Sequence, residues 1–500
     1  MPNYSNPILD ADWPDPDVIR VGDEYFATVS SFNRVPGLPV LRSRDLVNWE
    51  RIGYALPSIP PIEHYRLPRH GSGVWAPSIR HHDGLFHIVY PDPDHGIFVV
   101  SAADPAGPWS EPRALLVGAG LIDPCPLWDE DGSTYLVHGW AASRAGRKNV
   151  LSVVPVDQAL TRALAPGRDV IDGNALPGYS TLEGPKFYRR DGWYWIFAPA
   201  GGVATGWQSA FRSRSPFGPY EERIVLAQGD SPVNGPHQGA WVEAVDGSDW
   251  FVHFQDRGVY GRVMHLQPME WRADGWPVIG TAGPDETTGQ PVLSHPVPSG
   301  DGQVSQTLAF SDDFTDGIHD GWYWQANPGQ GWARTEAGTL HLTGPANDSG
   351  NLRLLPQLLG QQLPGRACAA AVTVSLDGIE GARAGVAVLG RSYLWAGLRS
   401  TPSGIELVVS SRRDGDLAEH VHHAERLTGE AASIRIEVDE LAAVRVVVDG
   451  GAGPATIDPE FSAVAGHWIG ADLALFAAAP LGAQQPAIGA FGPFTLEVAA

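Results

Sequence analysis

Five segments of the chain repeat one pattern of residues, and this repeat limits the folds that the chain can adopt. In each segment an apolar residue follows the opening residue after four positions, and an aspartate follows it after eight. The next residue is glycine in four segments and glutamate in the first. A run of aromatic and β-branched residues then begins. The opening residues are Asp15, Trp75, Asp123, Glu183 and Gln238.

The repeated aspartate and glycine predict a hairpin, because Asp-Gly supplies the positive φ angles of a tight turn between two strands. Successive openings lie 48 to 60 residues apart, which is enough for three or four strands each. One such sheet cannot bury both of its faces, so neighbouring sheets must stack. A β-helix would need shorter periods, and a sandwich would not need five matching units. The pattern therefore predicts an all-β chain in which residues 1–295 form a five-bladed β-propeller.

The repeat stops near Gly280, and the composition changes beyond it. Residues 281–305 lack periodicity and are typical of a linker. After them, alternating apolar runs such as 370–375, 405–409 and 434–438 are separated by turns about every ten residues. Residues 306–500 are therefore predicted to form a β-sandwich of the jelly-roll type.

The net charge of the chain limits the classes of partner that it can bind. The formal net charge of −23 argues against nucleic acid and against an anionic membrane surface, since both attract basic proteins. No apolar run approaches 18 residues, and the first residues lack the basic start and apolar core of a signal peptide. Cys125 and Cys368 lie far apart, as expected for unpaired thiols in a reducing compartment. We expect a soluble, cytoplasmic protein.

The opening residues of the repeats are candidates for a shared site. In a propeller the innermost strand of each blade lines the central channel, so residues that begin these strands converge on one mouth. Three carboxylates, a tryptophan and an amide would then meet. Glycoside hydrolysis needs one carboxylic acid and one carboxylate, and a tryptophan offers an apolar platform for a sugar. Each residue alone could equally be a turn or core residue, and periodicity does not decide between the two.

Six ordered motifs resemble glycoside hydrolase family 43 over about residues 1–280. Segments 312–314, 322–328 and 393–397 resemble the concanavalin-like C-terminal domain of the β-xylosidase-type members of that family. The motifs of the first region are Asn6-Pro7-Ile8-Leu9, Trp13-Pro14-Asp15-Pro16-Asp17, Val74-Trp75-Ala76-Pro77, Ile122-Asp123-Pro124, Leu182-Glu183-Gly184-Pro185 and Gly235-Pro236-His237-Gln238-Gly239.

The resemblance implies an inverting, single-displacement mechanism with three catalytic carboxylates. Asp15 matches the general base, Glu183 the general acid, and Asp123 the carboxylate that raises the pKa of the acid and orients it. Asp12 competes with Asp15 for the role of base but lies outside the Pro-Asp-Pro match. Inversion requires the base and the acid to lie roughly 6.5–9.5 Å apart, which leaves room for a water molecule.

The resemblance also implies four substrate-binding residues. Phe32 and Trp75 match apolar walls around the terminal sugar, and Arg262 matches an arginine that hydrogen-bonds sugar hydroxyls. His237 matches a histidine that faces the channel and contacts a calcium ion or a water cluster beneath the sugar. Calcium prefers oxygen ligands, so a hydrogen-bonded core histidine is the alternative. No cofactor is expected to be required, with Ca²⁺ in the channel as the candidate ion.

The expected activity is removal of terminal β-D-xylose from xylo-oligosaccharides by an exo-acting glycosidase. α-L-Arabinofuranosidase activity on arabinose-substituted oligosaccharides, alone or beside xylosidase activity, is the alternative. Asp17, where many relatives carry serine, and segment 33–37 depart from the family pattern near the sugar. A retaining fructan-processing enzyme would need Arg-Asp-Pro and Glu-Cys motifs, which do not occur. A non-catalytic sugar-binding propeller should lack one carboxylate. The tail is a candidate for closing the pocket, for homo-oligomer assembly or for binding carbohydrate.

Overall fold

The computed structural model describes residues 2–298 and 308–499. Helical segments within these ranges are short: an α-helix at Ala142–Ala145 and 3-10 turns at His64–Arg66, Gly173–Ala175, Gly258–Tyr260 and Leu352–Leu354. None of the helices in the described part of the chain is both long and apolar enough to cross a membrane. Cys125 and Cys368 are buried and free, as the sequence predicted.

Five antiparallel blades follow one another along the chain and confirm the predicted β-propeller. Each blade contains four consecutive strands. Blades 1 and 2 comprise Asp17–Val21, Glu24–Thr28, Gly37–Ser43, Trp49–Leu56, and Ser78–His82, Leu85–Asp92, Gly96–Ala102, Arg113–Val117. Blades 3 and 4 comprise Leu121–Trp128, Thr134–Trp140, Val150–Val156, Arg168–Asp172, and Lys186–Arg190, Trp193–Ala200, Trp207–Ser213, Glu221–Leu226. Blade 5 comprises His237–Glu243, Asp249–Asp256, Arg262–Trp271 and Pro277–Ile279.

The repeated aspartate lies at the first hairpin turn of each blade, but the turns are not identical. In blades 2 and 4 both Asp and Gly have positive φ, as in Asp83 at 49° and Gly84 at 76°. This is the geometry that matches the twist of the flanking strands. In blade 1 the positive φ belongs to Gly22, one residue before the aspartate. The glutamate that replaces glycine there is therefore not in a strained position.

The ring is closed by the segment that precedes blade 1. The backbone N–H groups of Ile8 and Trp13 donate to carbonyls of Met264 and Arg262 in the third strand of blade 5. Farther out, strand Asn3–Ser5 pairs with strand Ser294–Pro296. Apolar side chains of blades 1 and 5 share one buried cluster. Segment 3–13 continues into blade 1, and its hydrogen bonds and apolar contacts to blade 5 close the ring.

The expected linker at 281–305 contains more structure than its sequence indicated. Strands Thr281–Ala282 and Gly289–Gln290 extend the sheet of blade 4. Strands of two residues are too short to show a period, which is why the pattern missed them. Residues 299–305 lie outside the described part of the chain, as does residue 306, so the predicted boundary between 295 and 306 stays a prediction.

The remainder of the described chain folds into two antiparallel sheets, which confirms the predicted β-sandwich. Their inward-facing residues form one buried cluster. In spatial order one sheet comprises Tyr323–Trp324, Leu359–Gln362, Asp472–Ala478, Arg383–Leu389, Tyr393–Thr401, Gly404–Arg412 and His420–Arg426. The other comprises Ala333–Glu336, Thr339–Gly344, Ala487–Phe491, Cys368–Asp377, Ala432–Val438, Ala443–Asp449 and Ala455–Ser462, with Thr495–Val498 also paired to Cys368–Asp377.

Propeller and sandwich are joined by a buried ion-pair network. Arg34 donates to Asp12 of the propeller and to Asp472 of the sandwich, at 2.7 Å each. Asn33 donates to the carbonyl of Gln325, and Val35 bridges to Trp324. Segment 33–37, which departs from the family pattern, is therefore a part of blade 1 on which the sandwich docks.

Replacing Arg34 with methionine is expected to lower the free energy of unfolding by about 3–5 kcal/mol, because two buried carboxylates lose their shared cation. Chemical denaturation measures the loss. The matched control is Arg66→Met, which removes an exposed ion pair with Glu63 and should change stability by about 1 kcal/mol or less. A loss of that small size for Arg34→Met would mean that the network does not stabilise the interface.

Candidate active site

A cavity of about 80 Å³ lies where the first strands of the blades begin. The opening residues of all five repeats line it, so the structure brings together side chains from five distant parts of the chain. The sandwich contributes one further residue. The lining consists of Asp15, Phe32, Trp75, Ala76, Ile122, Asp123, Glu183, Gln238, Arg262 and Trp468.

Several residues at this cavity have a positive φ, a backbone conformation that residues other than glycine rarely adopt. Asp15, Asp123 and Gln238 have φ of 56°, 55° and 44°. Such left-handed residues each cost about 1–3 kcal/mol and cluster at functional sites. Glu183 is instead followed by Gly184, at φ 58°, where an added Cβ would lie 2.6 Å from Cγ of Gln238. The repeat thus uses one backbone kink to turn several of its opening side chains into the cavity.

Asp15 is held in one orientation by two donors. Its Oδ1 accepts from Nη1 of Arg262 at 2.8 Å, and its Oδ2 accepts from the Ser30 hydroxyl at 2.5 Å. Only 3% of Asp15 is exposed. Asp12, the competing candidate for the base, does not line the cavity and pairs with Arg34 instead. Of the two aspartates, Asp15 is the one that a ligand in the cavity can reach.

Asp123 and Glu183 form an acidic pair within the cavity. Asp123 Oδ2 accepts from the backbone N–H of Gly184 at 2.8 Å, which places it beside Glu183. Burial raises the pKa of Asp123 well above its ordinary value, and the charges of Glu183 and Asp15 raise it further. Glu183 is the more accessible carboxylate, with 29% of its side chain exposed. The cavity therefore holds a buried carboxyl group that resists ionisation next to one that is open to solvent.

The raised pKa of Asp123 predicts that Asp123→Asn will stabilise the protein at neutral pH. The unfolded chain ionises this carboxyl near 3.8, whereas the folded chain does so at higher pH, so stability is lost as the pH rises through that interval. The asparagine carbonyl can still accept from Gly184. We expect the melting temperature at pH 7 to rise by roughly 2 °C or more, with the gain vanishing near pH 4. Calorimetry at both pH values checks this, and an equal gain at both would contradict it.

His237 is buried, and the cavity lining does not include it. Its Nε2 lies 3.2 Å from Oε1 of Glu183, and its ring packs near Phe254. The structure thus places His237 beside Glu183, the carboxylate that the family resemblance assigns as the acid. Its proposed contact with substrate stays a prediction.

The described residues around His237 lack the ligands that calcium requires. Calcium takes six to eight oxygen ligands. Across residues 2–298 and 308–499 no group of three or more His, Cys, Asp or Glu side chains could hold a metal ion. His237 offers only Nδ1, a nitrogen without a hydrogen-bond partner in that part of the chain. These residues do not fit calcium held by protein oxygens, and the ion in the channel stays a prediction.

Aromatic side chains form the apolar walls. The rings of Phe32 and Trp75 lie 6.4 Å apart, brought together by a bridge between Phe32 and Val74. Gly73 permits this bridge, because its φ is 93° and an added Cβ would collide with the Phe32 carbonyl. The two predicted wall residues therefore face the same cavity.

Trp468 is a lining residue that sequence reasoning missed. It belongs to the sandwich, has a φ of 65°, and lies with its ring centroid 5.9 Å from the Arg262 guanidinium carbon. The N–H of Ala471 donates to the Val259 carbonyl at 2.7 Å, which fastens this loop to blade 5. The second domain thus closes one side of the cavity, which was one of its expected roles.

Asp17, the other departure from the family pattern, also lies outside the cavity. It is fully buried, and its Oδ2 accepts from the Ile79 N–H and from Arg80 Nη1. Its Oδ1 lies 3.6 Å from Nζ of Lys186. Asp17 therefore links blades 1, 2 and 4 and does not line the cavity.

Comparison with known proteins identifies the family to which the chain belongs. The model of the family described as glycosyl hydrolases family 43 matches residues 4–277. A putative beta-xylosidase of Xylanibacter ruminicola is 39% identical over 405 residues, which cover 79% of this chain and 72% of that protein. A non-reducing end alpha-L-arabinofuranosidase of Bacteroides ovatus is 34% identical over 69% of this chain and 65% of its own length, slightly under two thirds.

A solved structure supports the match along the whole chain. The Bacteroides ovatus protein named Xyloglucan PUL GH43B superposes with a TM-score of 0.84 at 25% identity and covers 100% of both chains. The propeller and the sandwich thus occur together in a known protein. With a family match over more than half of its length, the chain belongs to glycosyl hydrolases family 43 and is a glycoside hydrolase.

Proposed function

We propose that this glycoside hydrolase is exo-acting and releases terminal β-D-xylose from xylo-oligosaccharides with inversion of configuration. The observation that carries the proposal is the small cavity in which three carboxylates meet aromatic walls from both domains. A cavity bounded on several sides suits one terminal sugar better than a chain that passes across it. The names of the relatives, putative beta-xylosidase among them, support xylose as that sugar.

The accessibility of the carboxylates supports their assigned roles. Asp15 is buried and held by Arg262 and Ser30, so it is suited to accept a proton from a water molecule that attacks the anomeric carbon. Glu183 is the more exposed carboxylate and is suited to protonate the leaving oxygen, which faces the next sugar. Asp123 accepts the Gly184 N–H, and after burial the charge of Glu183 is the main cause of the raised pKa of Asp123, so Asp123 resists ionisation while Glu183 is charged.

α-L-Arabinofuranosidase activity is the second candidate, because the Bacteroides ovatus relative carries that name. Initial rates on aryl β-D-xylopyranoside and aryl α-L-arabinofuranoside distinguish the two. We expect the xyloside to be cleaved faster and α-xylose to appear first in the NMR spectrum of the products. Faster arabinofuranoside cleavage would favour the second candidate. First release of β-xylose would contradict inversion, and binding of xylobiose without hydrolysis would indicate a non-catalytic propeller.

A further inference from the structure

A second and larger cavity adjoins the first. It has a volume of about 440 Å³ and shares Arg262 and Trp468 with the carboxylate site. Loop 465–469 of the sandwich forms one wall, and blade 5 contributes Asp256, Gly258 and Gly261 to another. A ligand that extends out of the first cavity past Trp468 would enter this space.

Cations gather around this second cavity although the whole chain carries a net charge of −23. Arg391 lines it, and within the described residues the side chain of Arg391 makes no hydrogen bond or ion pair; its backbone N–H donates to Ala465. Burial lowers the pKa of His467, and Arg391, Arg353 and Arg144 lower it further, so all three arginines lie within electrostatic reach of that ring. The mouth of the second cavity is therefore locally positive.

The anions near these arginines do not balance them. Nη1 of Arg353 lies 4.0 Å from Oδ1 of Asp414, and Nε of Arg353 is buried without a partner among the residues described. Burial lowers the pKa of Arg353, and the positive charges of Arg391 and Arg412 lower it further. The charge of Asp414 raises this pKa but does not reverse the shift. Arg144 is already paired with Asp94. Arg391 is thus left as a cation that can bind an external anion.

Asp256 is the carboxylate in the lining of the second cavity, and within the described residues it forms no ion pair with Arg391. Its Oδ1 accepts the Gly258 N–H at 2.8 Å. Burial lowers the pKa of Arg262, but the negative charges of Asp15 and, to a lesser extent, Asp256 raise it, so that the net shift is upward. Asp256 is therefore engaged with blade 5 and the arginine of the first cavity.

We propose that the second cavity binds the leaving-group part of the substrate through a carboxylate, so that the preferred oligosaccharide carries a uronic acid substituent next to its terminal xylose. This inference rests on the proposed function. A guanidinium forms paired, charge-assisted hydrogen bonds with a carboxylate, which a neutral sugar cannot match. Trp468 offers an apolar ring face between the two sugars.

The test is equilibrium binding, so that it does not depend on turnover. Titration calorimetry on Glu183→Gln compares a xylo-oligosaccharide with the same oligosaccharide bearing a uronosyl branch on the sugar next to the terminal xylose. We expect the acidic ligand to bind about tenfold more tightly, and the preference to weaken as salt is added. Arg391→Met should abolish the preference, and Arg391→Lys should retain part of it. Arg162→Met, which alters an exposed arginine outside both cavities, should leave it unchanged.

An equal affinity for the two ligands, or a preference that survives in Arg391→Met, would overturn the inference. Because Arg391 is exposed, the variant is expected to fold, and its melting temperature checks this. Failure of the proposed function looks different: the wild-type protein would not cleave neutral aryl xyloside. That assay and the binding preference are measured separately.

Discussion

Replacement of Asp15 with asparagine is expected to lower kcat/KM by about 10³- to 10⁴-fold for every xyloside, whatever its leaving group. Asparagine keeps an oxygen for Ser30 but cannot take a proton from water, and each turnover of an inverting enzyme needs that transfer. Steady-state rates on xylobiose and on an activated aryl xyloside measure the effect. Both substrates should be affected alike.

The matched control for Asp15 is Asp191→Asn, which alters the repeated turn aspartate of blade 4. Asp191 has a φ of 48°, a conformation that asparagine tolerates, so folding and rate should stay within about twofold of wild type. Retention of more than a tenth of the wild-type rate by Asp15→Asn, in protein with an unchanged melting temperature, would remove Asp15 from the role of base.

The second large effect is expected at Glu183 and depends on the leaving group. Glu183→Ala should lower kcat for xylobiose by about 10³- to 10⁴-fold, because the departing sugar alkoxide needs a proton. An aryl xyloside with a strongly acidic phenol leaves without that help, so its rate should fall by only about tenfold. The ratio of the two rate losses is the measurement that identifies a general acid.

Glu130→Ala, at an exposed position beside a turn, serves as the control and should leave both rates near wild type. An equal loss for both leaving groups would instead indicate that Glu183 positions the substrate or activates water. The buried contact with His237 makes a stability measurement necessary beside the rates, since the alanine leaves that imidazole without its partner.

The propeller and the meeting of its opening residues could be predicted because both follow from local periodicity. Each repeat encodes its own hairpin, and the same kink recurs at three of the five opening residues, Asp15, Asp123 and Gln238. Radial stacking then brings residues separated by 168 positions, such as Asp15 and Glu183, into one cavity. The chemical roles of these carboxylates were suggested by family resemblance, and periodicity alone left them open.

What the sequence did not reveal depends on how the two domains dock. Trp468 lies in a loop without any repeat, and only its approach to Arg262 makes it part of the cavity. The family pattern predicts that segment 33–37 lies near the sugar, whereas Arg34 binds Asp472 of the sandwich. Such contacts join residues hundreds of positions apart in non-repeating segments, so no pattern along the chain signals them.

Segment 8–13, the inner part of segment 3–13, hydrogen-bonds to blade 5 and leads directly into Asp15. One short stretch of backbone consequently closes the ring and positions Asp15, the carboxylate that we propose as the general base. Opening of segment 8–13 would uncouple the first and last blades and move Asp15 away from the cavity at the same moment. A single local opening would therefore remove both the closure of the ring and the carboxylate that we propose as the base.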